Sequence, residues 1–213
     1  MKTSKKILSA VSAMTLCIGS LVNGVTANAA NNEKWNTYMI YCTVGANSGV
    51  KHANLVFAYN AEVDSIEAEV GDFGGEITQM SNNRVDGTVS YCASFLADGP
   101  IIAPGTLFTV KTWSKEDFKS KYSEMRTSAF DSSFKFIGDD IITATTVLVG
   151  DANGDGRVEV ADATLILQHL GNPTEYKLTN SGAYAADVDF DGVITKNDAK
   201  LIQQYDAGVI GYF

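Results

Sequence analysis

Two twelve-residue stretches restrict this chain more than anything else in it. The first, Asp151–Asp162, reads D-A-N-G-D-G-R-V-E-V-A-D, and the second, Asp187–Asp198, reads D-V-D-F-D-G-V-I-T-K-N-D. Both place oxygen-bearing side chains at positions 1, 3, 5, 9 and 12: Asp151, Asn153, Asp155, Glu159 and Asp162 in one, Asp187, Asp189, Asp191, Thr195 and Asp198 in the other. Ca²⁺ is a hard cation that takes about six to eight oxygens at roughly 2.3–2.6 Å, and this spacing wraps one ion. Arg157 and Val193, at position 7, would each supply a backbone carbonyl, which leaves their side chains free to vary. Gly156 and Gly192 stand at position 6, where the chain must turn sharply. Two Ca²⁺ ions are therefore expected. Val158 and Ile194, apolar at position 8, are expected to pair the loops through a short β-bridge.

The likeness runs on past the loops. Asp162-Ala163-Thr164-Leu165-Ile166-Leu167-Gln168 aligns with Asp198-Ala199-Lys200-Leu201-Ile202-Gln203-Gln204, an internal duplication of loop-plus-helix units. Such repeats bury their apolar faces against each other rather than alone. Gly171 with Pro173 ends the first helix, and Gly208 ends the second. An ordinary EF-hand has a helix before its loop and glutamate at position 12. Here the β-branched Thr145–Gly150 precedes the first loop, and position 12 is aspartate twice. In these features residues 150–213 resemble the dockerin module of cellulosomes. The resemblance implies a cohesin of a scaffold protein as partner. It puts the contacts on Val160, Ala161, Leu167 and Gln168 in one half and on Lys196, Asn197, Gln203 and Gln204 in the other.

The chain has 213 residues and a formal charge of −9. Ten acidic against four basic residues from Gly150 onward carry six of those nine negative charges, which disfavours a nucleic-acid partner. Residues 1–29 read as a secretory signal peptide: Lys2, Lys5 and Lys6, then an apolar run from Ile7 to Val22, then Ala27-Asn28-Ala29. Nothing later is long and apolar enough to span a bilayer. Export permits a disulfide between Cys42 and Cys92, and two buried thiols are the other reading of the pair.

Residues 31–148 read as mostly β. Short strands at Trp35–Val44, Ala53–Tyr59, Val63–Val70, Ile77–Met80, Arg84–Leu96, Leu107–Thr112, Phe134–Ile137 and Ile141–Val149 are divided by Gly, Asn, Pro and Asp clusters, the pattern of an antiparallel sandwich. Ser114-Lys115-Glu116-Asp117 starts a helix that runs to about Arg126. The run Ala53–Asn60, with Val63, Ile66-Glu67 and Val70-Gly71-Asp72, is similar to the strand–turn–strand of a cohesin, as are Gly87–Tyr91 and Gly105–Lys111. The fold class expected is a jelly-roll, cohesin-like β-sandwich with one inserted helix, followed by a small all-α dockerin with two EF-hand-like loop–helix units. No Ser/Pro/Thr-rich linker separates the two, so a semi-fixed orientation is expected.

The resemblance implies a secreted, non-catalytic, cellulosome-associated component. It would be an adaptor scaffoldin whose sandwich receives a dockerin-bearing protein. A carbohydrate-binding sandwich holding plant polysaccharide is the sibling reading, with Trp35, Tyr41, Tyr59 and Trp113 as candidate stacking rings. A small glycoside hydrolase would need paired carboxylates, and Glu67, Asp72 and Glu76 read as solvated acids at strand ends. His52 and His169 read as surface or packing residues.

Overall fold

A computed structural model describes residues 34–60, 66–83, 88–115 and 125–213. Nine strands come first: β1 Asn36–Val44, β2 His52–Asn60, β3 Ile66–Val70, β4 Gly75–Asn83, β5 Thr88–Ala97, β6 Gly105–Ser114, β7 Arg126–Phe130, β8 Phe136–Gly138 and β9 Ile142–Leu148. Three helices follow: α1 Val160–Gly171, α2 Asn180–Ala186 and α3 Lys196–Asp206. The strands form two antiparallel sheets, in the orders β3-β6-β1-β9 and β4-β5-β2-β7-β8.

Successive residues of a strand face opposite ways, so every second side chain meets the other sheet. From the four-stranded sheet these are Tyr38, Ile40, Cys42, Phe108 and Val110; from the five-stranded sheet, Ala53, Leu55, Phe57, Tyr91, Ala93 and Phe95. They make one buried core. Strand β1 departs from the half-buried pattern, because Thr37 and Met39, on its other side, are buried too. Met39, Val147 and Val149 belong to a second apolar cluster whose other members, among them Ala163, Ile166, Ala185 and Ile202, come from the helical module. That module lies over the outer face of the four-stranded sheet, and the described residues form one compact unit.

The junction is short and tight. Val149 donates to the Thr37 carbonyl (2.8 Å) and Gly150 to the Ala185 carbonyl (2.7 Å). Gly150 has φ +94°, and a Cβ there would come within 2.6 Å of Val158 and 2.9 Å of the Phe213 ring, so both conformation and crowding demand glycine. The end of the chain returns to the same sheet: Trp35 N donates to the Gly211 carbonyl (2.7 Å) and Trp113 Nε1 to the Phe213 carbonyl (2.9 Å).

Most expected strands are present, β4 being longer than its apolar residues suggest. Strand β7, five residues with a single fully buried side chain, lies where the helix from Ser114 was expected to end. The body of that expected helix, residues 116–124, lies outside the described residues, as do residues 61–65 and 84–87 and the proposed signal peptide. Ser114 itself is the fully buried last residue of β6. The connector Tyr176–Ala186 holds the short helix α2, whose cap Thr179 accepts from Gly182 N at 2.9 Å. Cys42 and Cys92 are both free thiols. Cys42 points into the core from β1, whereas Cys92 alternates with the core residues of β5 and points to the far side of the other sheet, so the two cannot meet.

Candidate calcium loops and docking face

In the first loop Asp151 is the hub. Its Oδ1 accepts from Gly154 N (2.8 Å) and Asp155 N (3.0 Å), and its Oδ2 accepts from Gly156 N (2.9 Å). Asn153 Oδ1 accepts from Asp155 N (2.8 Å), and Asp155 Oδ1 from Arg157 N (2.9 Å). The odd-numbered oxygens thus bend the backbone around themselves. Asp162, wholly buried, closes the ring: its Oδ1 accepts from Asn153 N (3.0 Å) and its Oδ2 from Glu159 N (2.9 Å). Burial pushes its carboxyl pKa up against the pull of those two N–H groups, and the charges of Asp151 and Asp155 push the same way.

The second loop repeats the scheme. Asp187 Oδ2 accepts from Gly192 N (3.0 Å), Asp191 Oδ1 from Val193 N (2.8 Å), and Asp198 Oδ2 from Thr195 N (2.8 Å). The buried Asp198 also draws in the loop entrance, its Oδ1 accepting from Val188 N at 2.9 Å. Position 12 therefore clamps the loop ends in both repeats and, as the third residue of the following helix, closes its capping box. Each clamped oxygen of Asp162 keeps a second lone pair for a cation, whereas the oxygens of Asp198 each accept a second, longer bond, from Asp189 N (3.4 Å) and from Thr195 Oγ1 (3.2 Å).

A divalent cation fits this loop. Asp187, Asp189 and Asp191 bring carboxylate oxygens within 4.8 Å of one another. Asp187 Oδ1 is buried with no hydrogen-bond partner, an acceptor that a bound cation would satisfy. Burial is the largest influence raising the Asp187 pKa; the Gly192 N–H opposes it, and the charges of Asp198, Asp189 and Asp191 add to it. A Ca²⁺ ion there would neutralise that repulsion and hold the loop folded.

Val158 and Ile194 pack partly buried against the same apolar cluster. Among the described residues no backbone hydrogen bond joins them, so the expected β-bridge is replaced by side-chain packing. Helices α1 and α3 pack on each other, and Val160 N donates to Asp206 Oδ2 across the pair at 3.2 Å. Of the residues expected to face a partner, Val160 and Leu167 are 54% and 41% exposed. Ala161, Gln168, Lys196, Asn197 and Gln203 are exposed too, and Gln204 is half-buried. Asn197 also braces the second loop, since its Nδ2 donates to Asp189 Oδ2 at 2.6 Å.

Three of the four rings proposed for sugar stacking make contacts within the chain. Trp113 is buried, with Lys111 Nζ 5.0 Å from its ring centroid, and Tyr41 stacks on Tyr184 at 4.2 Å. Burial, with the charge of Asp187 second, raises the Tyr41 pKa to about 12. Trp35 is half-buried with Lys115 above it, and the Tyr59 side chain lies outside the described residues. Trp35, Tyr41 and Trp113 line the contact between sandwich and helices, which no sequence periodicity announces. His52 sits on the outer face of the five-stranded sheet, bonded to Ser94 Oγ (3.0 Å), and burial lowers its pKa. His169 Nδ1 bonds the Tyr176 carbonyl at 2.8 Å, a packing role.

Two loops of one ligand pattern, each opening into a helix and both closed on one apolar cluster, define a duplicated cation-loop module. Residues 149–205 match the family model of the dockerin type I domain, and the chain carries that domain after its β-sandwich. Dockerin type I domains bind calcium. A xylanase/β-glucanase of Ruminococcus flavefaciens is 43% identical over 65 residues, an alignment covering 26% of this chain and 8% of that protein. The chain thus spans less than a tenth of the curated relative it matches. A non-cellulosomal cohesin from the hyperthermophilic archaeon Archaeoglobus fulgidus gives a TM-score of 0.37 at 12% identity, covering 57% of this chain and 87% of that one, a likeness too loose to carry an argument. No helix among the described residues is long and apolar enough to cross a membrane.

Proposed function

We propose that this chain is a secreted, non-catalytic component of a cellulosome-type assembly. Its dockerin, residues 150–213, holds two Ca²⁺ ions and plugs into a cohesin on another protein. Its sandwich, residues 31–148, receives a dockerin-bearing protein, which makes the whole an adaptor. The observation that carries this reading is the pair of matching loops with their helices' outer residues left exposed while the rest of the module packs on the sandwich. The name of the matched relative fits polysaccharide degradation as the setting. Asp151, Asn153, Asp155, Glu159 and Asp162, with the Arg157 carbonyl, hold the first ion. Asp187, Asp189, Asp191, Thr195 and Asp198, with the Val193 carbonyl, hold the second.

The exposed apolar pair Val160 and Leu167 would form the centre of the contact, where interface energy concentrates, and Lys196 and Gln203 would serve a polar rim. One docking orientation is therefore preferred. Val160→Asp with Leu167→Asp should abolish cohesin capture, and Lys196→Asp with Gln203→Asp should only weaken it; equal losses would refute the preference. The function itself is tested by passing the secreted proteins of the source organism over the immobilised full chain, with Ca²⁺ and then with EDTA. Calcium-dependent capture of a cohesin-bearing scaffold and of dockerin-bearing proteins supports the adaptor. Retention of the chain on insoluble polysaccharide, with no dockerin-bearing protein captured, would replace it by a carbohydrate-binding component.

A further inference from the structure

The two loops differ most at position 4. Gly154 in the first has φ +79° and open space around it. Phe190 in the second has φ +60°, a left-handed conformation that glycine adopts freely and a bulky residue does not. Something must hold Phe190 there, and it comes from the sandwich. Lys111 of β6 sets its Nζ 3.6 Å from the centroid of the Phe190 ring, and the ring packs against the cluster that contains Met39 and Val147. Just ahead of the same loop, Tyr184 of α2 stacks on Tyr41 of β1, with ring planes 28° apart. The sheet thus grips the second loop by a ring inside it and a ring before it. The tip of the first loop has no such hold, since a Cβ added at Gly154 would meet nothing within 4 Å; that loop touches the shared cluster by its flanks, Ala152 and Val158, instead.

We propose that Tyr41 and Lys111 of the sandwich are positioning residues for the second calcium loop, so that cation affinity at Asp187–Asp198 and the seating of the helical module on the sheet are coupled through them, while affinity at Asp151–Asp162 does not depend on these two side chains. The proposal rests on the calcium reading above, and the experiment separates the two. Calcium is titrated calorimetrically into the full chain carrying Asp151→Ala, which leaves the second loop, or Asp187→Ala, which leaves the first. Tyr41→Ala with Lys111→Ala, neither of them a ligand, is then added to each. In the Asp151→Ala chain the pair should weaken the remaining site about five- to fiftyfold, and in the Asp187→Ala chain it should change affinity by less than about twofold. Equal changes in both chains, or none in either, would overturn the coupling; no calcium binding by the unaltered chain would overturn the calcium reading instead.

Coupling is reciprocal, which supplies a second measurement should the double variant fail to fold. At saturating Ca²⁺, hydrogen exchange at Trp35 N–H, bonded to the Gly211 carbonyl, and at the Trp113 indole N–H, bonded to the Phe213 carbonyl, reports the seating directly. Both should lose protection in Asp187→Ala and keep it in Asp151→Ala. The same protection in the two variants would overturn the proposal.

Discussion

The two outer faces of the sandwich have opposite fates. On the four-stranded sheet, Met39, Val147 and Val149 are covered by helices and behave as core. On the five-stranded sheet, Met80, Leu96 and Phe136 remain exposed, and His52, Ser94 and Asn54 form a hydrogen-bonded row between them. Among the described residues no element lies over this second face. Apolar side chains with the same alternation therefore stabilise the fold on one face and stand available to a partner on the other. The face matters more than the residue type.

The sharpest way to break this contrast is to place one charge on each face. Val149→Asp buries an unpaired carboxylate at the junction and should cost more than about 4 kcal/mol, whereas Met80→Asp should stay within about 0.5 kcal/mol. Urea unfolding of both variants measures the difference, and similar losses would mean that the faces are equivalent. Truncation gives a smaller version of the same test: Met39→Ala should cost about 2–4 kcal/mol through the cavity it leaves, and Leu96→Ala less than about 1 kcal/mol.

Lys111 lets pH report on the covered face. Burial lowers its pKa from 10.5 to about 8, against the raising influence of Glu67 and Glu69. Between those values the unfolded chain binds the proton and the folded chain does not, so stability rises with pH through that window. Stability curves at pH 8 and pH 10 should show the rise in the unaltered chain and lose it in Lys111→Met. The smallest effect is chemical. Burial lifts the Cys42 thiol to about 12, and Cys42 lies in the core; Cys92 is also raised but is only half-buried on the open face. Alkylation of the native chain followed by mass spectrometry should label Cys92 first.

How legible each part is in the sequence follows from how local its determinants are. The proposed calcium ligands of each loop lie within twelve residues, so spacing alone picks them out, and the position-12 aspartates can be proposed without knowing that they clamp the loop ends. Alternation likewise finds most strands. The covered face depends on residues far apart in the chain, yet β1 holds a hint: Tyr38-Met39-Ile40-Tyr41-Cys42 has no charged or strongly polar interruption, the signature of a strand buried on both sides. Reading it as an ordinary half-exposed strand makes Tyr41 a sugar platform instead of a partner for Tyr184. Strand β7 escapes a sequence reading because Arg126-Thr127-Ser128-Ala129-Phe130 owes its place to pairing with β2, not to its own composition.

The passage from β9 into the first loop spans two residues, Val149 and Gly150, both pinned by backbone hydrogen bonds. A tethered plug can swivel, and its cargo searches the volume its leash allows. A plug soldered to its cargo gives up that search and gains direction. Whatever holds the helices of this chain also fixes the bearing of the sandwich's open face, and a load on one half passes across a packed contact rather than along a thread.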